Sequence, residues 1–535
     1  MKKALALILA IIMVMSLVAC GGNTAPNDAP VADEKVETPA VDNKTETPAT
    51  PAEPKYADEV TIALPVGSLD PNLIWGLDVN GYQVMVFETL LTRDDETGEL
   101  HMKLAKSVEW ANEECSKLHV ILRDDIFFSN GEPVTAADVA YTMDRVVYGS
   151  VATYYDNSEI VSDTELYINL TGPCSTFMPI LSIGACGVVN KAAAEANPDG
   201  LGLIGSGPWV YDMDSYIAEN TISLVRNEKY WGEFESPTKK VNFVKIADAS
   251  AAAVALQTGE VHFAKDLQAT ELPGLEQNKD LIVSRFPATN FIEISCNDRL
   301  ETDSLTEEAI NFRRAVACAI NKEDIMIATG NEMGQAMTSM WRFDDPAYIA
   351  NDGDYEHDLS YNPEKAKEYL EKAGGKTDVL MWFSSTEPGV TVAAQIIQEQ
   401  CRQVGINVEL YETDGSSFTA AVRSGTIPEY EMVVWRNSFN YDVINFNHYL
   451  TTSSVNRAFL NSSKAYAAMD VINNSSDTAT RNEQVKVMQT AVHDTVSIIP
   501  LYFREMNNAI NAKLEGAYHN SVPVYDFTNV ALRVA

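Results

Sequence analysis

The stretch Trp435-Arg436-Asn437-Ser438-Phe439-Asn440-Tyr441 brings together aromatic rings, amides, a hydroxyl and a guanidinium. It follows the apolar run Met432-Val433-Val434, and a strand that runs out into exposed aromatic and polar side chains has the pattern of a pocket wall. Arg436 and Arg423 are cationic candidates for a carboxylate or phosphate, because a guanidinium presents paired N–H donors. A solvated or salt-bridged arginine is the plain alternative for each. Catalytic chemistry has little to work with. Gly200-Leu201-Gly202-Leu203-Ile204-Gly205 spells GxGxxG, yet Asn197-Pro198-Asp199 precedes it in place of a strand and Gly207-Pro208 follows in place of a helix. It therefore reads as a turn. There is no Walker loop, HExxH or GxSxG motif, and the seven histidines show no metal-ligand spacing.

The seven cysteines form no CxxC pair and no cluster with histidine, which argues against structural zinc and thioredoxin-like redox chemistry. Cys174 and Cys186 flank a short turn-rich connection, which leaves a disulfide between them open. Cys318 and Cys401 sit in helix-like segments and read as buried free thiols. Cys20 is different. It ends a basic start, Met1-Lys2-Lys3, an apolar run from Ala4 to Met15 and the tetrapeptide Leu17-Val18-Ala19-Cys20. The run is too short, with the wrong flanks, for a membrane-spanning helix, and reads as a secretory signal over 1–19. Leu-Val-Ala-Cys resembles the bacterial lipobox, which implies a diacylglycerol on the Cys20 thiol and a body held at the outer face of the cell membrane. The alternative is an ordinary signal with a stray cysteine.

From Gly21 to Tyr56 the chain is nearly all Ala, Pro, Thr, Asp, Glu, Asn, Val and Lys. Such a stretch cannot bury enough apolar surface to offset its ordering entropy, so 20–56 reads as a disordered tether reaching roughly 30 Å. The rest is rich enough in apolar residues, 46% over the whole chain, for two or three packed cores. Thirty-nine basic residues against 76 acidic ones give a formal charge of −37. A field of that sign repels nucleic acid and anionic headgroups.

The elements that position these residues alternate between strand and helix. Leu118, Val120 and Leu122 alternate as a half-buried strand, as do Ile222, Leu224 and Arg226. Thr135 and Asp138 form a capping box before the stripe Val139, Met143, Val146 and Val147. Ala309, Phe312, Val316, Ala319 and Ile320 share a helix face after Thr306. Asn362-Pro363 starts a helix with Ala366, Tyr369, Leu370 and Ala373 buried, which Gly374-Gly375 stops. Val392, Ile396, Ile397 and Val404 make another helix, ended by Gly405, before the strand pattern Ile406, Val408 and Leu410. Helix, glycine, strand is the beat of an α/β fold with mixed sheets and covering helices.

Several short motifs occur in a fixed order. They are Ser68-Leu69-Asp70-Pro71; Leu122-Arg123 with Phe128-Ser129-Asn130-Gly131 and Thr135 to Tyr141; Gly205-Ser206-Gly207-Pro208; and Arg226-Asn227-Glu228-Lys229-Tyr230-Trp231. Leu256-Gln257-Thr258-Gly259-Glu260, Arg313-Arg314 to Asn321-Lys322, Tyr361-Asn362-Pro363 and Ile499-Pro500-Leu501-Tyr502 follow. Together they resemble the extracytoplasmic solute-binding proteins of the oligopeptide, dipeptide and nickel class of ABC importers (family 5), from about Tyr56 to the C-terminus. Most of these residues have structural jobs, with Tyr230 and Trp231 read as packing the first lobe.

The resemblance implies a two-lobed periplasmic-binding-protein-like (Venus flytrap) fold with two crossover segments. Its first lobe would comprise 57–287 plus 500–535, with an extra subdomain at 82–204, and its second lobe 288–499. A solute would be enclosed as the lobes close, and the closed form delivered to an ABC permease and, through it, to the ATPase subunits. The implied protein is a monomer, is not an enzyme, and has neither cofactor nor bound metal of its own. The implied cargo is an oligopeptide or dipeptide-like molecule, with chelated nickel or an oligosaccharide as alternatives, or a surface chaperone or sensor role without transport. Thr289, Asn290 and Phe291 fall at the first crossing, where relatives pair backbone with an extended ligand. Trp341 and Arg342 fall in a loop that faces the cleft in relatives, Trp75 follows the first strand, and Trp435 to Phe439 supply a wall. Peptide binders of this class commonly carry an aspartate three residues after the tryptophan, for the ligand's amino group. Here Ser438 stands there, which counts against simple peptides, since a buried ammonium would lack its countercharge.

Overall fold

The computed structural model describes residues 54–74, 81–94, 99–147, 149–298, 305–341, 343, 345–351, 355–385, 389–414, 417, 431–438, 462–519 and 525–534. A long mixed sheet runs through the molecule. Its order is Asn407–Thr413, Asp378–Ser384, Met432–Ser438, Leu281–Cys296, Ile498–Asn511, Phe263–Ala264, Glu59–Ala63, Lys240–Val244, Thr221–Arg226 and Trp209–Ile217. The two long central strands, Leu281–Cys296 and Ile498–Asn511, are antiparallel from Leu281 opposite Asn511 to Ser295 opposite Ile498. They are the crossing strands that link one side of the sheet to the other.

Separate apolar clusters lie on either side of the crossing. One gathers Val60, Ile62, Tyr82, Trp209, Phe243 and Phe527. A satellite cluster under the antiparallel sheet Ala105–Trp110, Lys117–Leu122, Glu165–Leu170 and Tyr155–Ser162 gathers Leu118, Val120, Phe128, Met143 and Ile168. On the other side Ile294, Phe312, Val316, Met381, Ile397 and Val434 form one core, and Phe291, Trp341, Met488 and Phe503 another.

The local signals act as the chain chemistry dictates. Thr135 and Asp138 close a capping box on helix Ala136–Arg145. Asn362 accepts from Lys365 N–H, with Pro363 at the first position of Pro363–Glu371. Gly405, at φ 95°, ends Val390–Val404 in the left-handed conformation. A methyl group on Gly207 would collide with the Met85 carbonyl, so only glycine lets these backbones approach. The glycine-rich stretch at 200–205 lies between helix Lys191–Ala196 and strand Trp209–Ile217, in turns.

One expectation is corrected, the reach of the helix after Thr135, and the placement of Val392 and the state of Cys174 and Cys186 are resolved. Val392 is 40% exposed, because Val390, Ala393, Ala394, Ile397, Cys401 and Val404 occupy the buried face and Val392 lies off that stripe. Helix Ala136–Arg145 stops before Val146 and Val147, and Val147 N–H donates to the Asn72 carbonyl at 2.9 Å instead of to its own helix. Cys174 and Cys186 are both buried free thiols, with Cys174 Sγ 3.6 Å from Thr176 Oγ1. Burial pushes the thiols of Cys186, Cys296 and Cys401 up to about 12, which keeps them protonated and unreactive.

His493 is stacked on Tyr355 with ring centroids 3.8 Å apart, and neither ring nitrogen has a partner among the described residues. Burial, then the charges of Lys322, His357 and Arg314, lower its pKa to about 3, against a smaller pull from Asp358. The unfolded chain takes a proton near pH 6.5 while the folded chain stays neutral. Stability is therefore lost as pH falls below 6.5, by about 1.4 kcal/mol per unit until about pH 3. Urea unfolding at pH 7 and pH 5 is expected to show about 2 kcal/mol more loss in the wild type than in His493→Phe. Equal losses in the two proteins would remove His493 as the cause.

Candidate functional site

The ladder between the crossing strands is irregular at one place. Pro287 pairs with Glu505 and Phe291 with Phe503, so residues 288–290 on one strand face the single residue Arg504 on the other. Beside this bulge lies a cavity of about 350 Å³, within the usual range for small-molecule sites. Asn290 and Arg436 line it from paired strands, Leu281–Cys296 and Met432–Ser438. Arg504 and Asn507 reach it from the second crossing strand, Asn331 from the loop after helix Lys322–Ala328, and Lys265 from the segment after Phe263–Ala264.

A hydrogen-bonded frame holds this cavity open. Glu505 Oε1 accepts from Arg285 Nε at 2.9 Å, and Oε2 from Met333 N–H at 2.7 Å, with the carboxylate fully buried. The same pairing raises the Arg285 pKa, so its charge is permanent. Asn331 Oδ1 accepts from Glu505 N–H at 2.9 Å and Asn331 Nδ2 donates to the Thr329 carbonyl at 3.1 Å. Asn507 Nδ2 donates to the Leu267 carbonyl at 3.2 Å, while its buried Oδ1 has no partner among the described residues. Asp266 is held at φ 52°, a left-handed conformation uncommon outside glycine, in the segment that turns over the cavity. Lys265 Nζ is 3.5 Å from Asp266 Oδ2 and 5.1 Å from the Tyr525 ring.

Other sequence candidates sit elsewhere. Phe291 and Trp341 are buried in an apolar cluster with Phe503, against which Trp435 packs. Phe291 meets Phe503 edge to face at 6.0 Å. Trp435 Nε1 donates to Ser295 Oγ at 3.0 Å, Ser295 Oγ donates to Glu293 Oε1 at 3.0 Å, and Asn437 Nδ2 lies 3.5 Å from that oxygen. Asn290 and Arg436 therefore reach the cavity, while Trp435, Asn437 and the two buried rings build the packed face behind it. Thr289 and Ser438 are described in their backbone only, as strand residues. Cys20, Trp75, Arg342, Arg423 and Phe439 lie outside the described residues. Sequence reasoning missed Lys265, Asn331, Arg504 and Asn507. The available signal for Arg504 was the charged pair Arg504-Glu505 directly after Ile499-Pro500-Leu501-Tyr502-Phe503.

A second contact spans the molecule away from the cavity. Ser175 N–H donates to the Asn473 carbonyl and Ser175 Oγ to the Ile472 carbonyl, each at 2.7 Å. These carbonyls lie in the last turn of helix Ser463–Asn474, where the Ile472 carbonyl also accepts from the capping Ser475 N–H at 3.4 Å.

Two packed bodies joined by paired crossing strands, with a polar cavity beside the crossing, define a two-lobed binding protein of the periplasmic-binding-protein type. The chain belongs to the bacterial extracellular solute-binding proteins, family 5, whose sequence profile matches residues 99–459. It is 30% identical over 407 residues to the nickel-binding periplasmic protein of Escherichia coli, covering 69% of this chain and 74% of that one. It is 25% identical over 320 residues to a glutathione-binding protein of Escherichia coli, covering 57% of this chain and 59% of that one. The fold is shared with the periplasmic binding protein DppA of Helicobacter pylori, solved with the peptide STSA. The TM-score is 0.72 at 20% identity, over 90% of this chain and 99% of that one. No helix among the described residues is long and apolar enough to cross a membrane.

Proposed function

We propose that this protein captures an oligopeptide or dipeptide-like solute between a first lobe, 57–287 plus 500–535, and a second lobe, 288–499, and delivers it to an ABC permease. The single observation that carries this reading is the cavity beside the bulge in the crossing strands, with Asn290, Arg436 and Arg504 at its wall. Residues 1–19 are a cleaved signal, Cys20 carries the lipid, and 20–56 tether a monomeric body outside the membrane. The protein performs no reaction on its cargo. Native mass spectrometry of freshly purified protein, followed by addition of peptide pools, tests the reading. A one-to-one mass excess matching a peptide supports it, and protein that stays bare in every pool contradicts it. The nickel-binding relative favours a chelated metal as the second reading, for which the mass excess would carry a nickel isotope pattern.

Ser175 joins the 82–204 subdomain to helix Ser463–Asn474 of the second lobe, so its bonds exist only while the lobes are together. Ser175→Ala deletes one of them. Solute affinity is expected to fall by about 3- to 10-fold with the unfolding midpoint nearly unchanged. Equal affinity by titration calorimetry would show that this contact does not contribute to closure.

A further inference from the structure

Resting on the reading that a solute is held in this cavity, we infer that the solute is rich in negative charge, an acidic peptide or peptide-like polycarboxylate, and that Arg504 selects it. Arg504 is half-buried, lines the cavity, and makes no hydrogen bond or ion pair among the described residues. Its sequence neighbour Glu505 would be the natural counterion, but both carboxylate oxygens are taken by Arg285 and Met333. The bulge leaves Arg504 opposite three residues, so its side chain stands where the regular ladder is interrupted. Arg436 adds a second cationic side chain to the same wall, while Lys265 is offset by Asp266.

The carboxylates of the cavity are committed. Glu505 is paired, and Asp266, 64% exposed, lies against Lys265. Among the described residues that line the cavity, a ligand ammonium therefore finds only carboxylates already held by Arg285, Met333 or Lys265, whereas a ligand carboxylate finds Arg504. A half-buried guanidinium without a counterion carries a desolvation cost that an incoming carboxylate relieves through two charge-assisted hydrogen bonds. This cationic wall sits in a chain of formal charge −37, so it is a local feature set against the overall field.

Calorimetric titration of the full-length protein with Glu-Glu, Ala-Ala and Lys-Lys tests the inference. Glu-Glu is expected to bind most tightly and Lys-Lys least. Arg504→Met is expected to weaken Glu-Glu by about 10- to 100-fold while leaving the melting temperature in place, and Arg504→Lys to recover part of the loss. Ala-Ala or Lys-Lys binding as tightly as Glu-Glu, or Glu-Glu binding unchanged in the well-folded Arg504→Met protein, overturns the charge preference and leaves solute capture standing. No binding of any of the three removes the dipeptide reading along with it.

Discussion

Replacing Glu88 with alanine is expected to destabilise the protein by about 3–5 kcal/mol, the range for breaking a buried, paired charge. The Glu88 carboxylate, 5% exposed, is the hub of its lobe. Oε1 accepts from Tyr230 OH at 2.7 Å and from Lys103 Nζ at 3.0 Å. Oε2 accepts from Ser206 Oγ at 3.0 Å and Trp231 Nε1 at 2.9 Å. Alanine leaves four donors facing a void. In the wild type, burial and then the Glu88 charge push the Tyr230 hydroxyl well above its usual range. Glu88→Gln keeps an acceptor and is expected to cost about 1–3 kcal/mol. Guanidinium unfolding of the three proteins gives both numbers, and a loss under about 1 kcal/mol for the alanine variant would show that water replaces the network.

Glu505→Ala carries the second large effect, at the crossing itself. The side chain ties the first crossing strand through Arg285 to the loop before Gln335–Ala336 through Met333 N–H. Its removal leaves Arg285 without its partner on the strand opposite Asn507, and takes Glu505 itself out of the cavity wall. We expect about 3–5 kcal/mol of lost stability, together with loss of the solute-dependent rise in melting temperature. Glu505→Ala protein that keeps full solute affinity would separate the frame from the binding site.

Much of the fold was legible because its local rules are short-range. The capping box at Thr135, the Asn362-Pro363 start, the Gly405 stop and the alternation of Leu118, Val120 and Leu122 each depend on a few adjacent residues. The ordered motifs added family and architecture. They also mark residues that meet at a distance: Gly205-Ser206-Gly207-Pro208 and Tyr230-Trp231 converge on Glu88, which no spacing rule connects to them. Arg436 and Asn290 were within reach because strand ends were the expected walls. Arg504 was not, because its exposure comes from a register shift between strands about 200 residues apart, and register is set by tertiary pairing. Phe291 and Trp341 show the converse: aromatic type alone does not separate a ligand-stacking ring from a core ring, and both are buried.

The most direct test of solute capture is thermal unfolding of the full-length protein with graded concentrations of di-, tri- and oligopeptide pools and of chelated nickel. Capture in a closing cleft predicts that at least one pool raises the melting temperature progressively with concentration, because the solute binds the folded state alone. A melting temperature unmoved by every pool up to millimolar concentration would contradict it.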